Sequence, residues 1–197
     1  MKDIILPQPE LNREFPLMKS LQLRRTKRKW KKELLPLQEI SNILWSGCGE
    51  TLKATIRSKN RRTVPSACNS QLVDVYACLE RGVYKYLSSE HKLEFVSDVD
   101  VRSILGTQKM MKSAPFGLIY VCDFSKRTGI IKSDESKKMF LAGTETGFIS
   151  QNVYLYCASS NLSTVLIAMV DRDRLAEVLG LNELKVITYT QIVGEVQ

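Results

Sequence analysis

The sequence has a single histidine, His91, and its five cysteines form no Cys-x-x-Cys pair. A structural zinc site takes about four Cys or His ligands in paired spacing, so we expect no metal site. Ser-His-Asp or Cys-His catalysis would have to use His91, which lies in the polar, turn-like stretch 88–92. We therefore expect no catalytic side chain of these types. We interpret the cysteines as scattered buried thiols in a reducing compartment.

Long apolar runs are also missing. The two longest, Phe116 to Cys122 and Val165 to Val170, are far shorter than the roughly 20 residues that span a bilayer. Residues 1–7 lack the apolar core and cleavage site of a secretion signal. Glycine and proline are few and 44% of the residues are hydrophobic, which excludes a disordered chain. These features predict one cytoplasmic domain over residues 1–197, with no membrane partner and with residues 1–20 as an extended N-terminal arm.

Negative charge is scarce in the first third of the chain. Residues 1–62 carry 15 basic and 6 acidic residues, whereas residues 63–197 carry 14 and 15. The densest stretch, residues 24–32, has seven cations in nine positions, and four more lie within 57–62. Such a patch attracts an anion, which is a nucleic-acid backbone, an acidic membrane surface or the phosphate of a small molecule. A solvated basic stretch without a partner is the remaining alternative.

Hydrophobic periodicity predicts helices and strands without regular alternation, which is typical of an α+β domain. We predict helices over residues 37–45, 99–112, 134–160 and 172–179, the last capped by Asp171 and closed by Gly180. We predict strands over residues 72–79, 116–122, 164–170 and 185–193, and a hairpin of 82–86 with 92–96. The polar stretch 125–138 is predicted to be a mobile loop.

Small residues recur in the long helix predicted over residues 134–160. Gly143 and Gly147 lie four positions apart on one face, although each glycine costs about 1 kcal/mol of helix propensity relative to alanine. We interpret this face as a place of close approach to another backbone, such as a partner helix. No glycine-rich dinucleotide motif and no Walker phosphate loop is present. Composition and spacing alone therefore indicate only an α+β domain with an anion-attracting patch.

Five blocks of sequence nevertheless share the order and residue types of one family's motifs. They are Arg24–Arg28, similar to Arg-Arg-Ser-x-Arg; Leu44–Gly49, similar to Leu-Trp-Ala-x-x-Gly; Arg62–Gln71, similar to Arg-Thr-x-Pro-Ser-Ala-x-Asn-x-Gln; Gly82–Leu93, similar to Gly-x-Tyr-x-Tyr…His-x-Leu; and Gly147–Leu162, similar to a long central helix ending in Gly-Leu. In these blocks the chain resembles the flavin-dependent nitroreductase superfamily, in particular its short SagB-type oxidoreductase branch.

The resemblance implies an FMN-dependent nitroreductase-like fold, in which helices flank a central mixed or antiparallel sheet and two chains form a two-fold homodimer. It implies FMN as the cofactor, with the phosphate on the first block: Arg24, Arg25, Thr26 and Arg28. An FMN phosphate carries nearly two negative charges, for which these side chains offer charge-assisted donors.

The resemblance also implies flavin contacts from three further segments. One block is supplied by the other subunit, because the family's sites lie at the dimer interface: Pro65, Ser66, Ala67, Asn69 and Gln71. Gln108 and Lys109 match a position at the pyrimidine edge, where a cation stabilises the charge of the reduced ring. Leu166 to Met169, which includes Ala168, matches a segment that contacts the ring through its backbone.

The activity implied by the resemblance is that of an NAD(P)H:acceptor oxidoreductase with a ping-pong mechanism. The acceptor is a nitro compound, a quinone or, in the reverse direction, an azoline in a modified peptide. Two departures from the family pattern affect FMN binding: Ala168 stands where relatives often carry glycine, and Glu195 stands where many carry a basic tail. The alternatives are a nitroreductase-fold dimer that has lost its cofactor and a basic nucleic-acid-binding protein, the less favoured of the two.

Overall fold

The computed structural model describes residues 2–56, 60–126 and 135–197. Its helices are α1 (Leu17–Leu23), α2 (Leu37–Cys48), α3 (Glu135–Ser159) and α4 (Arg172–Leu179). Its strands are β1 (Ile4–Ile5), β2 (Glu50–Leu52), β3 (Arg61–Arg62), β4 (Val73–Leu79), β5 (Gly82–Leu87), β6 (Lys92–Ser97), β7 (Phe116–Asp123), β8 (Leu162–Ile167) and β9 (Lys185–Glu195).

Seven of these strands form one sheet in the order β1-β6-β5-β4-β7-β9-β8, and every neighbouring pair is antiparallel. The short strands β2 and β3 pair separately. The sheet lies between two hydrophobic layers, one containing α2 and α3 and the other containing α4. The predicted α+β class, with helices on an antiparallel sheet, is confirmed.

The central strand β4 shows why the strand predictions are correct. Its residues alternate between the two layers, because successive side chains of a strand point to opposite faces. Val73, Val75 and Ala77 pack with the α2–α3 layer, whereas Tyr76 and Cys78 pack with the α4 layer. The predicted hairpin is also present as β5 and β6. Period-two patterning therefore predicts both the strands and the side chains that they bury.

Helix α3 crosses one face of the sheet and packs against α2. Gly47 makes this packing close, because a Cβ atom there would lie 3.2 Å from a methyl of Val153. Asn152 adds hydrogen bonds from its amide to the backbone oxygens of Ser46 and Thr63, at 3.1 and 3.4 Å. The predicted helix over 134–160 is confirmed with slightly shorter bounds.

The N-terminal arm is extended only in part. β1 pairs with β6, and α1 begins at Leu17, within the stretch predicted to be extended. The carbonyl of Pro7 accepts from the hydroxyl of Ser41 at 2.6 Å and lies 3.0 Å from His91 Nε2. Burial lowers the pKa of His91, and its Nδ1 lies 2.8 Å from the hydroxyl of Tyr86. A neutral ring protonated at Nε2 satisfies both contacts and anchors the arm.

The prediction of a helix over residues 99–112 is wrong. The chain instead forms two short 3₁₀ turns, Arg102–Ile104 and Lys109–Ser113, separated by a bend at Gly106. A Cβ atom at Gly106 would lie 2.6 Å from Gln108 Oε1 and 2.9 Å from a methyl of Ile167. The close packing of this bend against β8 therefore overrides the helical pattern of the segment.

Other boundaries shift by a few residues. β8 spans 162–167 rather than 164–170, and α2 continues to Cys48 and is capped by Gly49. The predicted cap of α4 is confirmed, because Asp171 accepts from the backbone N–H of Arg174 and Gly180 has φ 60°. The predicted mobile loop falls mostly on residues 127–134, which lie outside the described residues, and its last residues belong to α3. Within the described ranges, no helix has the length and hydropathy needed to cross a bilayer.

Candidate functional site

The basic segment 24–32 begins at the open edge of the large sheet, on β8, and continues to the end of the neighbouring strand β9. β8 is the last strand at this edge, so the backbone groups on its outer side are free to bond to other segments. The N–H of Lys27 donates to the carbonyl of Thr164 at 3.0 Å, and the N–H of Lys31 donates to the carbonyl of Glu195 at 3.0 Å. Backbone bonds therefore fix the segment, and most of its cationic side chains face solvent.

The cations of this segment are poorly compensated. Among the described residues, no carboxylate lies within ion-pair distance of Arg24, Arg25 or Arg28. Arg25 donates to the carbonyl oxygens of Gln22 and Arg24, at 2.9 and 2.8 Å. Lys31 forms an ion pair with Glu195 at 3.1 Å, so the acid at the C-terminus removes one positive charge from the patch. What remains is a focused positive surface suited to an anion.

Tyr154 of α3 joins the basic segment to β8. Its hydroxyl accepts from the backbone N–H of Leu166 at 2.9 Å and lies 3.2 Å from Thr26 Oγ1. The guanidinium of Arg24 lies 5.5 Å from the centre of its ring, a cation–π distance. Beside these residues is a cavity of about 290 Å³, which Arg25 and Tyr154 help to line. Tyr154 is not among the residues predicted from sequence to bind the flavin.

Gln108 lies next to the end of β8. The preceding N–H, that of Thr107, donates to the carbonyl of Met169 at 3.2 Å. The side-chain oxygen of Gln108 is buried and has no hydrogen-bond partner among the described residues. Lys109 and Met169 are exposed. The structure thus brings the basic segment, Gln108 and the end of β8 to one side of the molecule.

The block 65–71 forms a tight loop, of which 67–69 is a 3₁₀ turn. Three of its residues other than glycine have positive φ angles: Cys68 at 52°, Asn69 at 51° and Gln71 at 51°. This backbone region is unfavourable for residues with a Cβ atom, and it persists only where surrounding contacts enforce it. The thiol of Cys68 is exposed, whereas the other four cysteines are buried.

The side-chain amides of this loop bond mainly to Asn60 and also to each other. Asn69 Nδ2 donates to the carbonyl of Asn60 at 2.9 Å, and Gln71 Nε2 donates to the same carbonyl at 2.9 Å. Gln71 Nε2 also lies 3.1 Å from Asn69 Oδ1, and the N–H of Gln71 donates to Ser66 Oγ at 3.0 Å. The polar side chains of the block therefore hold its shape, while Pro65 is exposed at its start.

Glu145 of α3 fastens the loop to the body of the protein. Its carboxylate accepts from the N–H of Ala67 at 3.3 Å, the hydroxyl of Ser70 at 3.2 Å and the N–H of Leu72 at 3.0 Å. Burial raises the pKa of Glu145, and these three donors act in the opposite direction. Sequence reasoning missed this residue, because its partners lie more than 70 positions away.

A second buried carboxylate supports the same region. Asp74 of β4 bonds to Lys126 at 2.5 Å and to Lys85 at 2.9 Å. Burial alone would raise the pKa of Asp74, but the two ammonium groups outweigh it and the pKa is lowered. Lys126 also donates to the carbonyl of Gln71 at 3.2 Å. The ion pairs of Asp74 therefore position Lys126, which holds the C-terminal end of the loop at Gln71.

The predicted flavin residues thus form two separate groups in one chain. Group one contains the basic segment, Gln108, Lys109, Ala168 and Met169; group two is the loop 65–71. They contact α3 at Tyr154 and Glu145, nine residues apart, which corresponds to about 13 Å along a helix. A cavity of about 730 Å³ between the arm, α1, α2 and α3 contains residues of neither group. Among the described residues, no cluster of three or more His, Cys, Asp or Glu side chains could hold a metal ion.

The nitroreductase family model matches residues 21–195, which include nearly all of the fold described above. The chain belongs to the nitroreductase family. A nitroreductase-like protein of Methanocaldococcus jannaschii is 28% identical over 191 residues, which are 92% of this chain and 91% of that protein. The crystal structure of a nitroreductase-like protein of Ralstonia eutropha is 30% identical, with a TM-score of 0.88 over 100% of this chain and 90% of that one.

A more distant nitroreductase-fold structure is the NADPH:FMN oxidoreductase of Vibrio harveyi in complex with NAD⁺. It is 17% identical, with a TM-score of 0.65 over 92% of this chain and 69% of that one. At that identity the likeness shows the shared fold alone. The superfamily prediction is therefore confirmed, and membership of the nitroreductase family indicates an oxidoreductase.

Proposed function

We propose that this nitroreductase-family protein is an FMN-dependent NAD(P)H:acceptor oxidoreductase of ping-pong type, in the SagB-type branch. The observation that carries the proposal is group one: arginines without carboxylate partners near the open sheet edge formed by β8, and the buried, unpaired acceptor of Gln108 next to the end of the same strand. A flavin mononucleotide has the matching parts, a dianionic phosphate at one end and a hydrogen-bonding ring at the other.

Arg24 and Arg28, with the hydroxyl of Thr26, would hold the FMN phosphate. Their guanidinium groups have no carboxylate partner among the described residues, so a phosphate would compete with water and not with an existing ion pair. Arg25 already donates to two backbone carbonyls, which leaves it fewer free donors. This assigns the strongest phosphate contacts to Arg24 and Arg28.

The ring end of the proposed site has an acceptor, a donor and a cation. Gln108 Oε1 offers an unpaired acceptor, which suits an imide N–H such as that of the flavin pyrimidine. On the outer side of β8, the carbonyl of Thr164 and the N–H of Leu166 are hydrogen-bonded to other parts of the chain. Every second residue of a strand faces this side, so the next such residue is Ala168, whose N–H has no partner among the described residues. Lys109 is exposed and free to move toward developing negative charge. When bound, FMN supplies hydride acceptance from NAD(P)H and electron transfer to a nitro, quinone or related acceptor.

We also propose that the protein is a two-fold homodimer in which group two completes the partner's site. Three observations support this. Groups one and two are far apart along α3, and the outer surfaces of α1 and α3 expose large apolar side chains: Leu17, Met18, Leu21, Phe140 and Phe148. Gly143 and Gly147 on α3 have open space where a Cβ atom would lie, so nothing in the described chain explains them. A second copy would both cover this surface and contribute Pro65, Ser66, Ala67, Asn69 and Gln71.

The visible absorption spectrum of the purified protein tests the proposal. We expect a yellow protein whose flavin band is bleached by NADH or NADPH under anaerobic conditions and is restored by a quinone or nitroaromatic compound. A protein that remains colourless after incubation with FMN contradicts it. In that case the pairing of Glu195 with Lys31 would support a dimer that has lost its cofactor. Salt-sensitive binding of a DNA or RNA oligonucleotide would instead support the nucleic-acid alternative.

A further inference from the structure

Successive backbone groups on the outer edge of β8 form hydrogen bonds with other parts of the chain. The carbonyl of Thr164 accepts from the basic segment, at the N–H of Lys27, and two residues later the N–H of Leu166 donates to Tyr154. At the next outward position, Ala168, the carbonyl accepts from the nearby residues Val170 and Arg172, but the N–H has no partner among the described residues, and Ala168 and Met169 are exposed. Tyr154 therefore occupies the point where the covered edge gives way to the segment proposed to face the flavin ring.

The same hydroxyl reaches the phosphate end of the proposed site. Thr26 Oγ1 lies 3.2 Å from it, and the Arg24 guanidinium lies 5.5 Å from the ring centre. A tyrosine hydroxyl has one donor and can accept as well, so it can accept from Leu166 and donate to Thr26 together. One half-buried side chain thus connects the two ends of group one.

We propose that Tyr154 is a positioning residue that sets the phosphate-binding segment relative to the ring-facing end of β8. This inference rests on the proposed function. Tyr154 acts through Thr26, Arg24 and Leu166 and needs no contact with the flavin itself. Its hydroxyl fixes the spacing between the two ends of the site, so a flavin that uses both ends binds without first having to order them.

Tyr156 provides a matched control on the same helix. Its hydroxyl is also hydrogen-bonded, at 2.9 Å to Glu39 and at 2.5 Å to Arg13, but these partners belong to α2 and the arm. Tyr156→Phe removes an equivalent hydroxyl without touching group one. A general loss of stability from deleting a tyrosine hydroxyl should appear in both variants, whereas an effect on the flavin should appear only in Tyr154→Phe.

The experiment compares the binding of FMN and riboflavin to the apoprotein by titration of flavin fluorescence. Riboflavin has the same ring but no phosphate, so the ratio of the two affinities isolates the phosphate end. We expect Tyr154→Phe to weaken FMN binding about tenfold and riboflavin binding less, because Thr26 loses its hydrogen-bond partner while the ring beside Arg24 is kept. We expect Tyr156→Phe to leave both affinities within about twofold. The reduction potential of the bound FMN should also shift in Tyr154→Phe, since the ring-facing end of β8 loses its anchor.

A second variant tests the contact between Tyr154 and Thr26 by changing Thr26. Thr26→Val removes the hydroxyl that faces Tyr154, and we expect it to weaken FMN binding and leave riboflavin binding unchanged. In Thr26→Val, the further change Tyr154→Phe should cost less FMN affinity than it does in the wild type. Suppose that the wild type binds FMN, but that Tyr154→Phe has the same FMN affinity, the same preference for FMN over riboflavin and the same flavin reduction potential. That result would overturn the role of Tyr154 and leave the proposed function standing. A wild type that takes up no flavin would overturn the proposed function, and this inference with it.

Discussion

The carboxylate of Glu145 lies 3.0 Å from the backbone N–H of Leu72, at the point where the loop 65–71 enters the central strand. The same carboxylate accepts from Ala67 and Ser70, so it bonds to both ends of the loop. Between these contacts the backbone takes three positive φ angles. A buried carboxylate from α3 therefore stabilises a backbone conformation that the loop sequence would not adopt alone.

Replacing Glu145 by glutamine should destabilise the protein by about 2 kcal/mol. The substitution keeps the size of the side chain but turns one acceptor oxygen into an NH₂ group, so that at least one donor of the loop loses its acceptor. Urea denaturation measures the loss. Glu177→Gln on the exposed face of α4 is the control, for which we expect a change within about 0.5 kcal/mol. Equal midpoints for the two variants would show that the loop does not depend on Glu145.

Removing Arg24 and Arg28 together should release FMN while the fold stays intact. Each charge-assisted contact contributes roughly 1.5–3 kcal/mol, so Arg24→Ala with Arg28→Ala should weaken FMN binding by about 100-fold or more. Fluorescence titration at two salt concentrations measures the affinity and its electrostatic part. The control pair Lys2→Ala with Arg174→Ala removes the same charge from exposed positions elsewhere. Retention of flavin by the double variant at unchanged affinity would remove these arginines from the phosphate site and favour the nucleic-acid alternative.

Asp74→Asn should lower the free energy of unfolding by about 3 kcal/mol at pH 7. The reason is that Lys126 and Lys85 would keep their charges in a largely buried setting without a counter-ion. Thermal or urea unfolding measures the loss, and Asp98→Asn, at an exposed position, is the control.

The stability lost in Asp74→Asn should become smaller as the pH falls. The folded-state pKa of Asp74 lies below its ordinary value of 3.8, so its ionisation stabilises the folded protein above that pH. This contribution disappears as the pH falls through the lower, folded-state pKa. The difference in stability between wild type and Asp74→Asn should therefore narrow below about pH 4. A difference that stays constant down to pH 2 would contradict the ion-pair explanation.

Local patterns were sufficient for most of the fold. Alternation of residue types predicts β4, a continuous apolar run predicts β7, and the residues Asp171 and Gly180 predict both ends of α4, because these signals act within a few residues. The segment 99–112 shows where they fail. Its apolar spacing suits a helix, but the bend at Gly106 packs against Ile167, more than 60 positions away. Such a contact has no signal in the local sequence.

The candidate site was also predicted only in part from the sequence. Motif resemblance supplied the residues of both groups, but it supplied neither of the two α3 side chains that support them. Tyr154 and Tyr156 have almost the same sequence surroundings, and only the fold distinguishes the one beside Thr26 from the one beside Glu39. Glu145 likewise resembles any helix acid until its three distant donors are known.

The separation of the two groups along α3 has a genetic consequence for the proposed dimer. A chain with Arg24→Ala and Arg28→Ala is damaged in group one, and a chain with Asn69→Leu is damaged in group two. If each site takes one group from each chain, a mixed dimer of the two contains one undamaged site and one site with both defects. Random mixing would make half of the dimers mixed, so about a quarter of the sites would be intact. Two defective alleles expressed together would then complement each other and restore flavin binding that neither restores alone.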